Sequence, residues 1–259
     1  MSLNSILNIA NTGLSVAQTQ LRVVSDNVAN VNTPGYIRKI ADQVSLTTQG
    51  VGSGVDVARV RLATDSFLQA AAFKAGGDAA RQTVKAELYD RIQSLFGDPG
   101  SDTGFFTRIE SAFASFAAVA ESPTSTPYRQ DCLTRTQALF DEAGRVARQI
   151  QTVRQEADSR IQSGAGRIND LLGQIEGLNQ DISRAIAING DASGSQTTQA
   201  ELITQLSSLI DVQVSPRNNG GVSIRSSSGI LLAGPGAASV SYRGAGVVNT
   251  ESTFGDIVV

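Results

Sequence analysis

From Tyr128 to Ala187 no proline interrupts the chain, and apolar or small residues return every three or four positions. The line reads Leu139, Ala143, Val146, Ile150, Val153 and Ala157, then Ile161, Gly164, Ile168, Leu171, Ile175, Leu178 and Ile182. This spacing predicts an amphipathic helix, because strands would repeat every second residue. At 1.5 Å per residue the segment reaches roughly 90 Å if unbroken, several times the width of a globular domain. Its phase slips once, between Ala157 and Ile161, and an insertion of that kind unwinds a supercoil locally without ending the helix. Gly164 and Gly166 mark where a kink or close contact would fall.

A second seam opens the chain. Leu3, Leu7, Ala10, Leu14, Ala17, Leu21, Val24, Val28 and Val31 alternate in spacings of four and three, a heptad pattern over about four heptads. The remaining faces carry Asn4, Asn8, Asn11, Ser15, Gln18 and Gln20 instead of Lys and Glu. An uncharged polar surface of this kind suits burial against many neighbours. The helix must stop at Thr33-Pro34-Gly35-Tyr36, because proline disfavours the helical region for the residue before it and glycine readily takes positive φ.

Between these helices the period changes. Residues 40 to 63 read as extended structure, with Val44 and Leu46 alternating against Val55, Val57 and Val60 across a glycine-rich link. Gly50, Gly52 and Gly54 open into a strand, which does not suit a nucleotide loop. Asp65 to about Phe96 and Gly104 to Glu121 read as helices, the latter with Phe105, Phe106, Ile109, Phe113 and Phe116 as a predicted aromatic core. After the long helix, a short one is expected near Gln199 to Ile210. Val212 and Val214, then Val222 and Ile224, read as a hairpin around PRNNGG. The rest is glycine-rich and strand-like, and the expectation is a fragment that ends within a β domain.

Composition removes most chemistry. The chain has no histidine, the side chain best suited to proton transfer near neutral pH, and its one cysteine offers no pair for a transition metal. Cys132 lacks a neighbouring base and is expected to be a buried, inert thiol. Asp191 alone is too few carboxylates for a calcium loop. No catalytic, metal or cofactor site is expected. A net charge of -3 gives no electrostatic footprint for nucleic acid, and no span suits a membrane. Residues 1 to 21 carry no charged side chain, so they lack the basic start of a Sec signal peptide. Aromatic residues are 5% of the chain and tryptophan is absent, which suits helices packed along their length, extended rather than compact.

NVANVNTPGY closely resembles the signature near the N-terminus of the axial proteins of the bacterial flagellum, the rod, hook and hook-associated proteins. Asn27, Ala29, Asn30, Thr33, Pro34, Gly35 and Tyr36 carry it position by position. The resemblance implies that the first helix packs in the wall of a tube through Leu3, Leu7, Leu14, Leu21, Val24, Val28 and Val31, and that the corner leads the chain outward. Rod and hook proteins pass from this motif into mainly β structure, whereas this chain adds long helices. Gly52, Gly54, Val55, Val57, Val60, Arg61, Asp65 and Phe67 resemble the hook-associated branch, as does AELITQLSSLIDVQVS.

The expected fold class is mainly α with β, an elongated multi-domain axial protein. Residues 1–38 would form the terminal coiled-coil helix and corner, 39–63 an extended linker, 64–211 a long-helix bundle, and 212–259 the start of an incomplete β-rich outer domain. The implied function is that of a structural adaptor, not an enzyme, that joins hook to filament as a ring. Its implied partners are further copies of itself, the hook protein, a second junction protein on the filament side, and an export chaperone. Its implied location is the extracellular flagellum, reached without a cleavable Sec signal. The other readings are a distal rod or hook subunit and a flagellar-exported effector or enzyme.

Overall fold

The computed structural model describes residues 3–33, 35–98, 104–188 and 190–259. Its elements in chain order are α1 (Leu3–Ala29), β1 (Lys39–Thr48), β2 (Val51–Leu62), α2 (Ser66–Leu95), α3 (Phe105–Glu121), α4 (Thr126–Ala187) and α5 (Ser193–Ser207). The strands β3 (Val212–Pro216), β4 (Val222–Ser226), β5 (Leu231–Ala233), β6 (Ser241–Tyr242) and β7 (Ile257–Val258) follow. The chain is mainly α with β, and α4 is the unbroken long helix, 62 residues in length. Two compact units divide it: Met1–Ala80 with Gly166–Val240 and Val259, and Arg81–Ala165 with Ser241–Val258.

In the first unit α1 packs on the antiparallel hairpin of β1 and β2, and α5 also touches β2. The hairpin closes through Gln49 and Gly50, whose φ values of 54° and 78° are both positive, as a type I′ turn requires. Register shifts after Asp42 and Leu46 are bulges, which strengthen the twist of a two-stranded ribbon. Leu172, Ile175 and Ile182 of α4, Ile203 and Leu206 of α5, and Ile224, Leu232 and Ala233 of the strands are the buried core.

The β3–β4–β5 sheet is fastened to α4 by side-chain amides. Asn179 is buried, and its Oδ1 accepts from Val222 N at 2.7 Å while its Nδ2 donates to Val222 O at 3.0 Å. Gln199 Nε2 donates to the same Oδ1 at 3.0 Å. Ten residues earlier Asn169 does the same to Val240, donating at 2.8 Å and accepting at 2.7 Å. Each asparagine thus offers a backbone segment one donor and one acceptor, as a neighbouring strand would. Close approach requires glycine at the turn, because a Cβ on Gly221 would lie 2.5 Å from Asn179 Oδ1.

In the second unit the C-terminal segment is anchored by the other part of α4. Asp158, 3% exposed, accepts from Tyr242 Oη at 2.6 Å and from Ala245 N at 3.1 Å. Gln155 exchanges bonds with Gly246 O and Val248 N, both at 2.8 Å. Arg154 donates to Asn249 O and Ser252 O and lies over the Phe254 ring, 5.1 Å from its centre. Ion pairs join α2 to α4: Arg91 to Glu156 at 2.5 Å, and Arg160 to Glu87 at 2.9 Å. The Arg160 guanidinium holds Glu87 below its usual carboxylate range, and Arg91 does so for Glu156.

Three expectations are corrected. Phe106, Phe113 and Phe116 are at least half exposed, and the buried face of α3 carries Ala112 and Ser115 instead, since small side chains admit a closer neighbour than rings do. Of the predicted cluster, Phe105 and Phe106 meet Phe96, with ring centres 5.7 to 6.1 Å apart. On α4 Ile161 faces outward, and the buried line runs from Val153 through Asp158 to Ala165, so the phase slips one turn earlier than the apolar pattern suggests. A polar residue holds the seam there, supplied with partners by Tyr242 and Ala245. The short helix starts at Ser193, where Asp191 Oδ1 accepts from the Ser193 amide at 2.9 Å. Cys132 is buried, as expected.

Candidate assembly surface

α1 ends at Ala29, and two overlapping turns carry the chain round the corner. Asn30 N donates to Asp26 O, Thr33 N to Asn30 O at 2.9 Å, and Tyr36 N to Thr33 O at 3.2 Å. Gly35 takes φ +81°, a region costly for other residues, and a Cβ on it would also lie 3.2 Å from Glu201 Cγ. Pro34 lies outside the described residues.

Side chains of the signature lock these turns to the first strand. Asn27 Nδ2 donates to Lys39 O, and Lys39 N donates back to Asn27 Oδ1, both at 2.9 Å. Tyr36 Oη donates to that Oδ1 at 3.0 Å. Asn30 Nδ2 bonds Asp26 O at 2.9 Å, and Thr33 Oγ1 meets Asn30 Oδ1 at 3.2 Å. The motif is therefore a clasp between the end of α1 and the start of β1. Nothing in the structure explains Ala29, which is exposed.

The seam residues stand outside every contact that holds α1. Leu3, Leu7, Leu14, Leu21, Val24, Val28 and Val31 are 54 to 73% exposed. The hairpin side of α1 is the other face, where Val16 and Val23 are each 5% exposed. Leucines at heptad positions left in water form an apolar stripe that solvent disfavours, and a stripe of this spacing fits a partner helix.

Three residues of this region, Asp26, Lys39 and Thr12, are absent from the motifs as read in sequence. Asp26 pairs with Lys39 Nζ at 3.1 Å, and Thr12 Oγ1 accepts from Val55 N at 3.3 Å beside Gly54. The signal for the packed face was present but weak, since Ile9, Val16 and Val23 recur every seven residues with Thr12 and Thr19 between them. Their small, partly polar side chains hid it beneath the leucine seam. Among the described residues no group of His, Cys, Asp or Glu is placed to hold a metal ion, and no helix is long and apolar enough to cross a membrane.

The family described as flagellar hook-associated protein FlgK helical domain matches residues 89–254. The chain belongs to the flagellar hook-associated protein FlgK family. Residues 7–36, the seam and corner, separately match the family described as flagella basal body rod protein. Flagellar hook-associated protein 1 of Salmonella typhimurium is 26% identical over 242 residues, covering 89% of this chain and 42% of the relative. The protein of that name from Bacillus subtilis is 23% identical over 237 residues, covering 87% and 46%. The chain thus spans less than half the length of these curated relatives. The flagellar hook junction protein FlgK from Burkholderia pseudomallei aligns with a TM-score of 0.55 at 24% identity, over 69% of this chain and 30% of that one, a likeness of fold.

Proposed function

We propose that the chain is a structural subunit that joins flagellar hook to filament by assembling into a ring at the junction. The observation that carries this reading is the exposed heptad seam of α1, held outward by the corner clasp, on a chain whose later helices match the hook-associated family. In this reading residues 1–38 pack in the tube wall through Leu3, Leu7, Leu14, Leu21, Val24, Val28 and Val31. Residues 39–63 lead outward, the helices within 64–211 meet neighbouring subunits, and residues 212–259 begin the outer β region. Each subunit contributes weak apolar contacts that sum around a closed ring, and no catalytic group is required. The partners are further copies of this chain, the hook protein, a second junction protein on the filament side, and a chaperone before export. The subunit acts outside the cell, as part of the flagellum.

The rod-protein match over residues 7–36 favours a second reading, a distal rod or hook subunit. The match over residues 89–254 weighs against it. Immunogold labelling of a tagged copy on purified intact flagella separates the two. Gold at the hook–filament boundary is the expected result, and gold along the hook or below it would overturn the junction reading.

A further inference from the structure

In the second unit the chain from Ser241 to Val258 goes out and comes back to the same place. β6 and β7 pair Ser241 with Val258 and Tyr242 with Ile257, and residues 243–256 form a closed loop between them, within the size range of an Ω-loop. Its neck is tight, and a Cβ on Gly255 would lie 2.8 Å from Arg243 O, so glycine there lets the two legs meet. The backbone of this loop finds its partners on three side chains of α4 that lie within about one turn. Asp158 accepts from Ala245 N, Gln155 accepts from Val248 N and donates to Gly246 O, and Arg154 donates to Asn249 O and Ser252 O. Asp158 comes this close because residue 244 is glycine, where a Cβ would lie 2.8 Å from Asp158 Oδ2.

The loop's own side chains add little. Val248 is buried, Phe254 lies beneath Arg154, and Tyr242 Oη donates to Asp158, whereas Val247 is 85% exposed. One buried valine is a small apolar anchor, so hydrogen bonds to three side chains carry most of the attachment. α4 closes its own backbone hydrogen bonds and needs none from the loop.

We infer that residues 241–258 are a clasp that opens and closes as one unit while α4 stays helical, and that Arg154, Gln155 and Asp158 are the positioning residues that hold it shut. Because these side chains read backbone, the outward side chains of the loop, Val247 among them, are free to change. The clasp stands whether or not the chain forms the hook–filament junction.

Hydrogen exchange of the intact protein tests this. Arg154→Met is the deciding variant: it keeps the apolar stem, loses the bonds to Asn249 O and Ser252 O, and removes no bond from the Ala245 or Val248 amide. Those two amides are expected to exchange at matched rates in the parent. Both should speed up at least about tenfold in Arg154→Met, with the α4 amides of residues 147–165 unchanged. Gln155→Met should accelerate Ala245 as much as Val248, although only Val248 loses its bond. Val247→Ser should leave both amides within about twofold of the parent. A response confined to the group whose bond was removed would overturn the clasp, as would α4 amides that accelerate along with the loop. Acceleration in Val247→Ser as large as in Arg154→Met would show that loop side chains hold it, and would overturn the backbone reading. Should Arg154→Met lower the helical signal, Arg154→Lys decides, since it keeps the charge but loses the guanidinium fork. A smaller acceleration shared by both amides is then expected, and acceleration of neither would overturn the inference.

Discussion

Replacing Asn179 by alanine should loosen the β3–β4–β5 sheet from α4. The side chain is 1% exposed and exchanges two hydrogen bonds with Val222 and one with Gln199. At about 1 kcal/mol net per bond, with buried groups left unpaired, the change costs roughly 3 kcal/mol. For a chain of this size each kcal/mol lowers Tm by about 2 to 4 °C, so a fall of about 6 to 12 °C is expected in the transition that contains this sheet. Two compact units need not melt together, so a local probe is needed as well. Hydrogen exchange at the Val222 amide supplies it, and the predicted loss of protection there is about a hundredfold or more. Asn179→Asp sorts the cause: it keeps both acceptor contacts but sets a carboxylate oxygen against Val222 O, and should be no less damaging than alanine. A Tm within about 2 °C of the parent and unchanged Val222 exchange would refute the reasoning, since a buried amide with three partners cannot be removed silently.

Asn27→Ala should free the corner at a cost of about 1 to 2 kcal/mol, seen as faster exchange at Lys39 N and reduced incorporation into flagella, with the helical body intact. Gln49→Asn should stabilise the hairpin by a few tenths of a kcal/mol, because asparagine tolerates the positive φ of that turn better than glutamine, and denaturant titration would show it. Arg160 and Arg91 depress the pKa values of Glu87 and Glu156, so their contribution is present above the usual carboxylate range and is lost as pH falls through the lowered folded values. Melting from pH 7 to pH 3 should show that loss, weaker in high salt and absent in an Arg91→Gln, Arg160→Gln double variant. Tyr242, raised chiefly by its bond to Asp158, gives the opposite sign. Its contribution persists below about pH 10 and fades above it, and Tyr242→Phe should remove this alkaline step.

Helices and turns were legible in the sequence wherever period and punctuation agreed. The spacing from Leu139 to Ile182 marks α4, and Thr33 to Tyr36 marks the corner, because proline and glycine restrict the backbone whatever surrounds them. The face that α1 buries lay hidden, since Val16 and Val23 make a weaker stripe than the leucines, and Thr12 and Asn27 bond to backbone groups of the strands. Asn169, Asn179, Gln155 and Asp158 were missed for a related reason. Each bonds mainly to backbone groups 71 to 93 residues away, or 43 for Asn179, and backbone groups carry no side-chain identity to read. The exposed rings of α3 show the converse, that an apolar stripe predicts a helix more reliably than it predicts what covers it.

Electron microscopy of a strain deleted for this chain's gene tests the junction account most directly. The account predicts cells that complete a hook, carry no filament on it and release flagellin subunits into the medium, with filaments restored by the intact gene. A rod role would instead remove the hook. Deletion cells with normal, attached filaments would contradict the account.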